Sequence, residues 1–325
     1  MRIVVTGGLG FLGRNLTHRL VGQGHDVTII DPGEMTDEHD RLFESGPGRI
    51  RFFNLRTRDF RHNWYDAGFN QIYHLGANAS PPVYKADPIE SLLAGSVGTH
   101  AICSLAQSAS RARVLLASTS EVYGDPAVSP QPESYRGNVD PIGPRSMYDE
   151  AKRYAEAYIA AQIRCGLDAR IARIFNTFGP GMKIDDGRMV TEFIKACFWD
   201  EPMPVHGDGQ QTRTLCYVDD LVDGLIGLMN SKLERSVPYP VNIGGVDEVS
   251  VLDVAQEVGL AWTKVTGLEA PPIAFVGQPC SQDPKKRKPD LGRARQLFSY
   301  APKVGWKDGI QRTVQHFHEN SSNLG

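Results

Sequence analysis

The seven residues Gly7-Gly8-Leu9-Gly10-Phe11-Leu12-Gly13 constrain this chain more than any other segment. An apolar run, Ile3-Val4-Val5-Thr6, precedes them, and Leu12, Leu16 and Leu20 recur at helical spacing after it. A strand that turns through glycines straight into a helix needs them for three reasons: a tight turn, close approach of backbone to a ligand, and close packing of helix on strand. Further apolar runs at 27–31, 50–53, 71–75, 114–118 and 169–175 alternate with helical patterns. Such alternation gives a parallel sheet covered on both faces. After Gly179-Pro180-Gly181 the elements shorten, and helical patterns return near 219–230, 250–265 and 307–318. The expectation is an α/β chain. A Rossmann-type doubly wound parallel sheet spans residues 1–180, and a smaller C-terminal α/β substrate lobe spans 181–325, with some exchange of chain between the two.

The helix opened by the glycines would present free N–H groups and its positive dipole end to a phosphate. Asp31 ends the second apolar run, where a carboxylate can hold ribose hydroxyls. The same charge would repel the 2′-phosphate of NADP, so the pattern points to NAD. Composition narrows the rest. Basic and acidic side chains nearly balance at a formal charge of -3, with no long single-sign block, so nucleic acid is not expected as a partner. No leader is read before the first strand and no apolar run is read as membrane-spanning. The five cysteines are odd in number, far apart and without a CxxC, which fits reduced thiols in a cytoplasmic protein and no metal site.

Tyr148 and Lys152 form YxxxK at the start of a helical pattern, on one face. A lysine cation beside the phenol is expected to lower its pKa and let it act as a base. The pair alone is a weak signal. Upstream, Ser118-Thr119-Ser120-Glu121-Val122-Tyr123-Gly124 follows the fifth run at the sheet edge where ligands sit in open α/β folds.

The glycine loop, this segment, YxxxK and Arg173-Ile174-Phe175-Asn176, in that order, resemble the extended short-chain dehydrogenase/reductases. Longer strings resemble the UDP-glucuronate decarboxylase (UDP-xylose synthase) family within them. These include Ala79-Ser80-Pro81-Pro82 with Tyr84, NVDPIGPRSMY ending at Tyr148, IARIFNTFGP ending at Pro180, Asp185-Asp186-Gly187-Arg188, Gln211-Thr212-Arg213 and Arg287-Lys288-Pro289-Asp290. The likeness runs over roughly residues 1–318.

The resemblance implies roles. Thr119, Tyr148 and Lys152 match the redox triad, and Glu121 and Arg287 match residues of the decarboxylation step. Ser120 stands where related dehydratases carry an acid for a leaving hydroxyl, which a decarboxylase does not need. Gly7, Gly10, Phe11, Leu12, Gly13, Asp31, Thr36 and Leu75, with Tyr148 and Lys152, are expected to hold NAD. Pro81, Tyr84, Asn176, Arg188 and Arg213, with Glu121 and Arg287, are expected to hold a UDP-sugar. The implied reaction takes UDP-glucuronate to UDP-xylose through a 4-keto intermediate. Helices near 96–110 and 149–165 resemble a four-helix homodimer interface.

Three alternatives stay open: oxidative decarboxylation with release of NADH, another UDP-sugar epimerase or dehydratase, and a non-catalytic NAD-sensing module. For Lys285, Lys286 and Lys288 a solvated surface loop is expected. Several positions depart from the family pattern: Pro32 and Leu55 near the adenosine side, Gly95 where Asn is common, and Met147 and Ala151 where Cys and Gly are usual.

Overall fold

A computed structural model describes residues 1–59, 68–108, 112–233, 237, 239–277 and 286–321. Cys280, Lys285 and the end of the expected helix at Ser110 lie outside the described residues, as do residues 322–325 of the tail. The first half supplies β1 (Arg2–Thr6), α1 (Phe11–Gly22), β2 (Asp26–Asp31), α2 (Asp37–Phe43), β3 (Arg49–Asn54) and β4 (Gln71–His74). Then come α3 (Pro81–Ala86), α4 (Pro88–Leu93), α5 (Thr99–Ser108), β5 (Arg113–Thr119), α6 (Ser146–Arg164) and β6 (Ala169–Ile174).

The second half holds β7 (Thr177–Phe178), α7 (Met189–Trp199), β8 (Met203–His206), β9 (Thr212–Thr214), β10 (Cys216–Tyr217) and α8 (Val218–Asn230). It ends with β11 (Pro240–Ile243), β12 (Glu248–Ser250), α9 (Val251–Thr266), β13 (Ile273–Val276), β14 (Lys286–Arg287), α10 (Gly292–Phe298) and α11 (Trp306–Glu319).

Seven strands form one parallel sheet in the order β11-β6-β5-β4-β1-β2-β3. The order reverses between β1 and β4, so a crevice opens beyond their carboxyl ends. The outermost strand on one side, β11, comes from the C-terminal half and pairs with β6. Period-two alternation splits the apolar side chains between two cores. Ile3, Val5, Ile29 and Tyr73 pack on one face, and Val4, Ile30, Ile72 and Val114 on the other. Helices α1 and α8 cover the first face, and α5 and α6 the second.

Small pairings build the rest: β7 with β10, β8 with β13, and β9 between β12 and β14. The last brings Arg213 and Arg287 into register.

Residues 88–108 form one continuous helical stretch, α4 and α5 joined by a π-helical turn at Ala94–Gly98. At 21 residues with mean hydropathy 1.2, it is long and apolar enough to cross a membrane by length and composition. This corrects the expectation from apolar runs, because the helix joins segments that Ser, Gly, Thr and His interrupt. Its Ile102, Cys103, Leu105 and Ala106 are buried against the sheet, the behaviour of a core helix.

Candidate active site

The glycine loop wraps the end of β1. Gly7 has φ +68°, and a Cβ there would lie 2.8 Å from the Leu75 carbonyl oxygen. A Cβ at Gly13 would lie 1.9 Å from the Gly7 carbonyl oxygen. Neither position accepts a side chain. Gly10 caps α1 without a side chain, and the first turn carries no acid, so the N–H groups of Phe11, Leu12 and Gly13 suit a pyrophosphate.

Asp31 is buried at the end of β2. It accepts from Leu9 N–H (3.1 Å) and Gly33 N–H (2.8 Å), which fixes its carboxylate against the loop. Asn54 closes the turn beyond Asp31 by donating to the Gly33 carbonyl (3.1 Å), and the Leu55 N–H donates to the Asp31 carbonyl (3.1 Å). Thr36 caps α2, with its hydroxyl 2.9 Å from His39 Nδ1, and the far nitrogen of that ring lies 3.2 Å from the Leu9 carbonyl oxygen. Thr36 therefore engages the glycine loop through His39, a residue no sequence motif marks.

Across the switch point, β5 delivers Thr119 and α6 delivers Tyr148, and their side chains hydrogen-bond. Tyr148 is buried and stacks on Tyr84, with ring centroids 5.2 Å apart and 8° between planes. Lys152 sits 5.9 Å from the centroid of the Tyr148 ring and donates to the Ala117 carbonyl (2.7 Å). Burial lowers its pKa to about 8, with Glu156 opposing.

The expected lowering of the phenol pKa does not occur in the protein alone. Burial pushes Tyr148 upward, Glu121 adds to this, and the Thr119 hydrogen bond and Arg188 only partly offset it. Beneath Lys152, His74 bridges the Thr6 and Thr99 hydroxyls at 2.8 and 3.2 Å. Burial and the lysine charge push this imidazole down to about 3, so it is neutral.

Glu121 lies in the short turn after Thr119 and is buried. Arg287 grips it with both terminal nitrogens, and Arg145 Nη2 reaches the same carboxylate at 2.7 Å. Arg145 sits in the NVDPIGPRSMY string without any role read for it. It caps α6, one turn before Asp149. Asp149 is buried, and its Oδ1 has no hydrogen-bond partner. Burial and the Glu121 charge raise its pKa to about 7, with the two arginines pulling it back. The Nε of Arg287 is also buried without a partner. Sequence marks neither Arg145 nor Asp149, because a buried charge on a helix reads like a solvated one until the packing is known.

The remaining expected residues lie around this centre. Pro81 starts α3, and Tyr84, on the same short helix, stacks on Tyr148. Ser120 is buried in the turn beside Glu121. Arg188 pairs with Asp186 and lies 5.5 Å from the centroid of the Phe11 ring, so it meets the glycine-loop helix. The Asn176 carbonyl accepts from Cys216 N–H (2.9 Å), tying the end of β6 to β10. Arg213 is buried on β9, opposite Arg287.

Comparison with known proteins agrees with this arrangement. Residues 3–244 match the model of the NAD dependent epimerase/dehydratase family. The chain is 42% identical over 319 residues to UDP-glucuronic acid decarboxylase 1 of Xenopus tropicalis, covering 98% of this chain and 72% of that protein. It is 41% identical over 327 residues to UDP-glucuronic acid decarboxylase 1 of Arabidopsis thaliana, covering 99% and 71%. The solved UDP-glucose 4-epimerase of Thermotoga maritima shares the fold, with a TM-score of 0.84 at 23% identity over 99% of this chain and 100% of that one. With its strand order, its ligand-side glycine loop and its Thr–Tyr–Lys group, the chain belongs to the NAD dependent epimerase/dehydratase family and, within it, to the family of the UDP-glucuronic acid decarboxylases.

Proposed function

We propose that this protein converts UDP-glucuronate to UDP-xylose and carbon dioxide through a 4-keto intermediate, with NAD used and regenerated. The carrying observation is the charge arrangement beside Tyr148. Two guanidiniums, Arg145 and Arg287, meet the Glu121 carboxyl group, while burial drives Asp149 toward its neutral form. The buried Arg287 guanidinium, whose Nε has no hydrogen-bond partner, is where a uronate carboxylate can be held.

Bound NAD supplies the hydride acceptor for oxidation at sugar carbon 4 and the donor for its return. The Tyr148 phenol, having lost its own proton to solvent under the added positive charge of bound NAD, takes the proton of the 4-hydroxyl as phenolate, with the Thr119 hydroxyl holding that oxygen in place. The resulting ketone lies beta to the carboxylate on carbon 5. When the bond to the carboxyl carbon breaks, its electron pair moves onto the ketone oxygen as an enolate. Tyr148 and Thr119 stabilise that oxygen by hydrogen bonds. Arg287 orients the leaving carboxylate, and Glu121 in turn fixes Arg287. Carbon 5 then takes up a proton from solvent in place of the lost carboxylate, and Tyr148 returns its proton to oxygen 4 as the ketone is reduced.

The same reading takes the protein to be cytoplasmic and a homodimer joined through a four-helix bundle. Exposed Ile89, Leu92, Val97 and Tyr154 on α4, the π-helical turn and α6 support that interface. The deciding experiment is incubation with UDP-glucuronate and NAD, followed by NMR identification of the products. UDP-xylose and carbon dioxide without lasting NADH are expected. Stoichiometric NADH with a UDP-4-keto-pentose, or an epimerised uronate, overturns the reading.

A further inference from the structure

Arg287 has to be held at one height against Glu121, yet it lies on a two-residue strand far along the chain. The contacts that place it converge on Gln131, which is 1% exposed in the loop between β5 and α6. Gln131 forms a parallel bridge with Pro289. Its backbone N–H donates to the Lys288 carbonyl (2.7 Å), and its carbonyl accepts from Asp290 N–H (3.0 Å). Its carboxamide Oε1 accepts from Lys288 N–H (2.8 Å), and its Nε2 donates to the Val128 carbonyl (2.6 Å).

The carboxamide thus makes one bond to the residue directly after Arg287 and one to its own loop. Removing it takes the side-chain partner from the Lys288 N–H and from the Val128 carbonyl. The sheet braces the clasp from behind. Asn242 on β11 donates to both the Gln131 carbonyl (2.9 Å) and the Asp290 carbonyl (3.1 Å), and accepts from the Tyr123 hydroxyl (2.8 Å). Tyr123 ends the same short turn that carries Glu121. The two halves of the Glu121–Arg287 pair are therefore referenced to each other through Gln131 and Asn242.

We propose that Gln131 is a positioning residue of this site, setting the height of Arg287 against Glu121 by clasping Lys288. The inference takes the work of Arg287 from the decarboxylase reading, but the clasp itself from geometry. Loss of the carboxamide lets the 286–290 segment shift, and misplacement of about 1 Å can cost roughly a hundredfold in rate.

The test uses the full chain with Gln131→Met, which keeps length but loses both polar atoms, and Gln131→Glu, which keeps the acceptor for Lys288. Each is made alone and with Arg287→Ala. Gln131→Met is expected to lower kcat for UDP-xylose formation about 10- to 100-fold, with NAD affinity and the KM for UDP-glucuronate within about threefold. Gln131→Glu should recover most of that loss. In the Arg287→Ala chain, Gln131→Met should change nothing further, since residues acting as a unit are not additive. Hydrogen exchange at the Lys288 amide should rise at least about tenfold in Gln131→Met alone, whatever the reaction.

Full turnover in Gln131→Met, or an undiminished loss in the Arg287→Ala background, overturns the proposal, as does unchanged exchange at Lys288. A wild-type chain that makes no UDP-xylose refutes the decarboxylase reading instead, and the exchange data still decide the clasp. Should Gln131→Met fail to fold, Gln131→Glu against wild type carries the same comparison, with retained kcat and retained Lys288 protection expected together. A loss of either one alone counts against Gln131.

Discussion

Tyr148 and Lys152 sit one helical turn apart, but the ammonium is committed to the Ala117 carbonyl and burial dominates the phenol. The site therefore stores the tyrosine as a protonated acid until charges arrive with its ligands. Tyr148→Phe keeps the stack on Tyr84 and removes only the hydroxyl. Turnover should fall about 10²–10⁴-fold with NAD binding unchanged, checked by kinetics beside a cofactor titration. Asp149 makes a stability prediction. Burial raises its pKa from the ordinary carboxylate value of 3.8 to about 7, so between those pH values the folded chain keeps a proton the unfolded chain has lost. Its contribution is fully present below about pH 4 and is lost as pH rises to about 7. Asp149→Asn should therefore gain stability relative to wild type across that window, by at most about 4 kcal/mol, then stay level. Urea unfolding at pH 4.5, 6 and 8 reads this, and a pH-independent difference would remove Asp149 as a buried acid.

Two departures from the family pattern prove to be one feature at the level of elements. A Cβ on Gly95 would lie 2.7 Å from the Ala151 Cβ and 2.8 Å from its carbonyl oxygen, so the π-helical turn and α6 touch there. At this contact the side chain sits on α6, at Ala151, and Gly95 leaves room for its methyl group. The Thr99 hydroxyl donates to the Gly95 carbonyl (2.6 Å), which ties the turn to the His74 bridge under Lys152. Gly95→Asn alone should overpack the contact and cost about 1–3 kcal/mol. Adding Ala151→Gly should recover part of that cost, despite glycine's own penalty of about 1 kcal/mol in a helix. Thermal unfolding of the two single variants and the double variant gives the coupling, and strict additivity would show that the two positions do not meet.

Over the whole molecule, the C-terminal half contributes both a sheet strand and part of the active site. Asn242 on β11 and Arg287 on β14 reach the carboxyl ends of the first-half strands, so neither half completes the site alone. The outer face of α4 and α6 leaves Leu92 and Tyr154 exposed, and Tyr154 stacks on Tyr158 with centroids 6.2 Å apart. If that face is the dimer interface, Leu92→Asp with Tyr154→Asp should shift the particle from two chains to one in light scattering. The fold should stay intact, because neither side chain belongs to the sheet core. A wild-type chain that is already monomeric, or a double variant that stays dimeric, would rule this interface out.

Periodicity and glycine chemistry made six of the seven sheet strands legible in the sequence. Their side chains alternate between two faces, and the positions at Gly7 and Gly13 tolerate no Cβ. The order of Thr119, Tyr148 and Lys152 on a strand end and the following helix was equally local. The seventh strand, Pro240–Ile243, was not legible, because it lies among the shorter elements after Gly181 and its partner β6 is far away in the chain. Nor could sequence place Arg145, Asp149 and Gln131. Their importance comes from burial, orphaned polar atoms and neighbours brought in from distant segments, and only the packed structure creates these. Local chemistry fixed the glycine loop and the spacing of Tyr148 and Lys152. Tertiary packing decided which charges meet at Glu121 and the protonation of Asp149 and Tyr148 beside it, since burial and the charges nearby depend on what surrounds a group and not on its place in the chain.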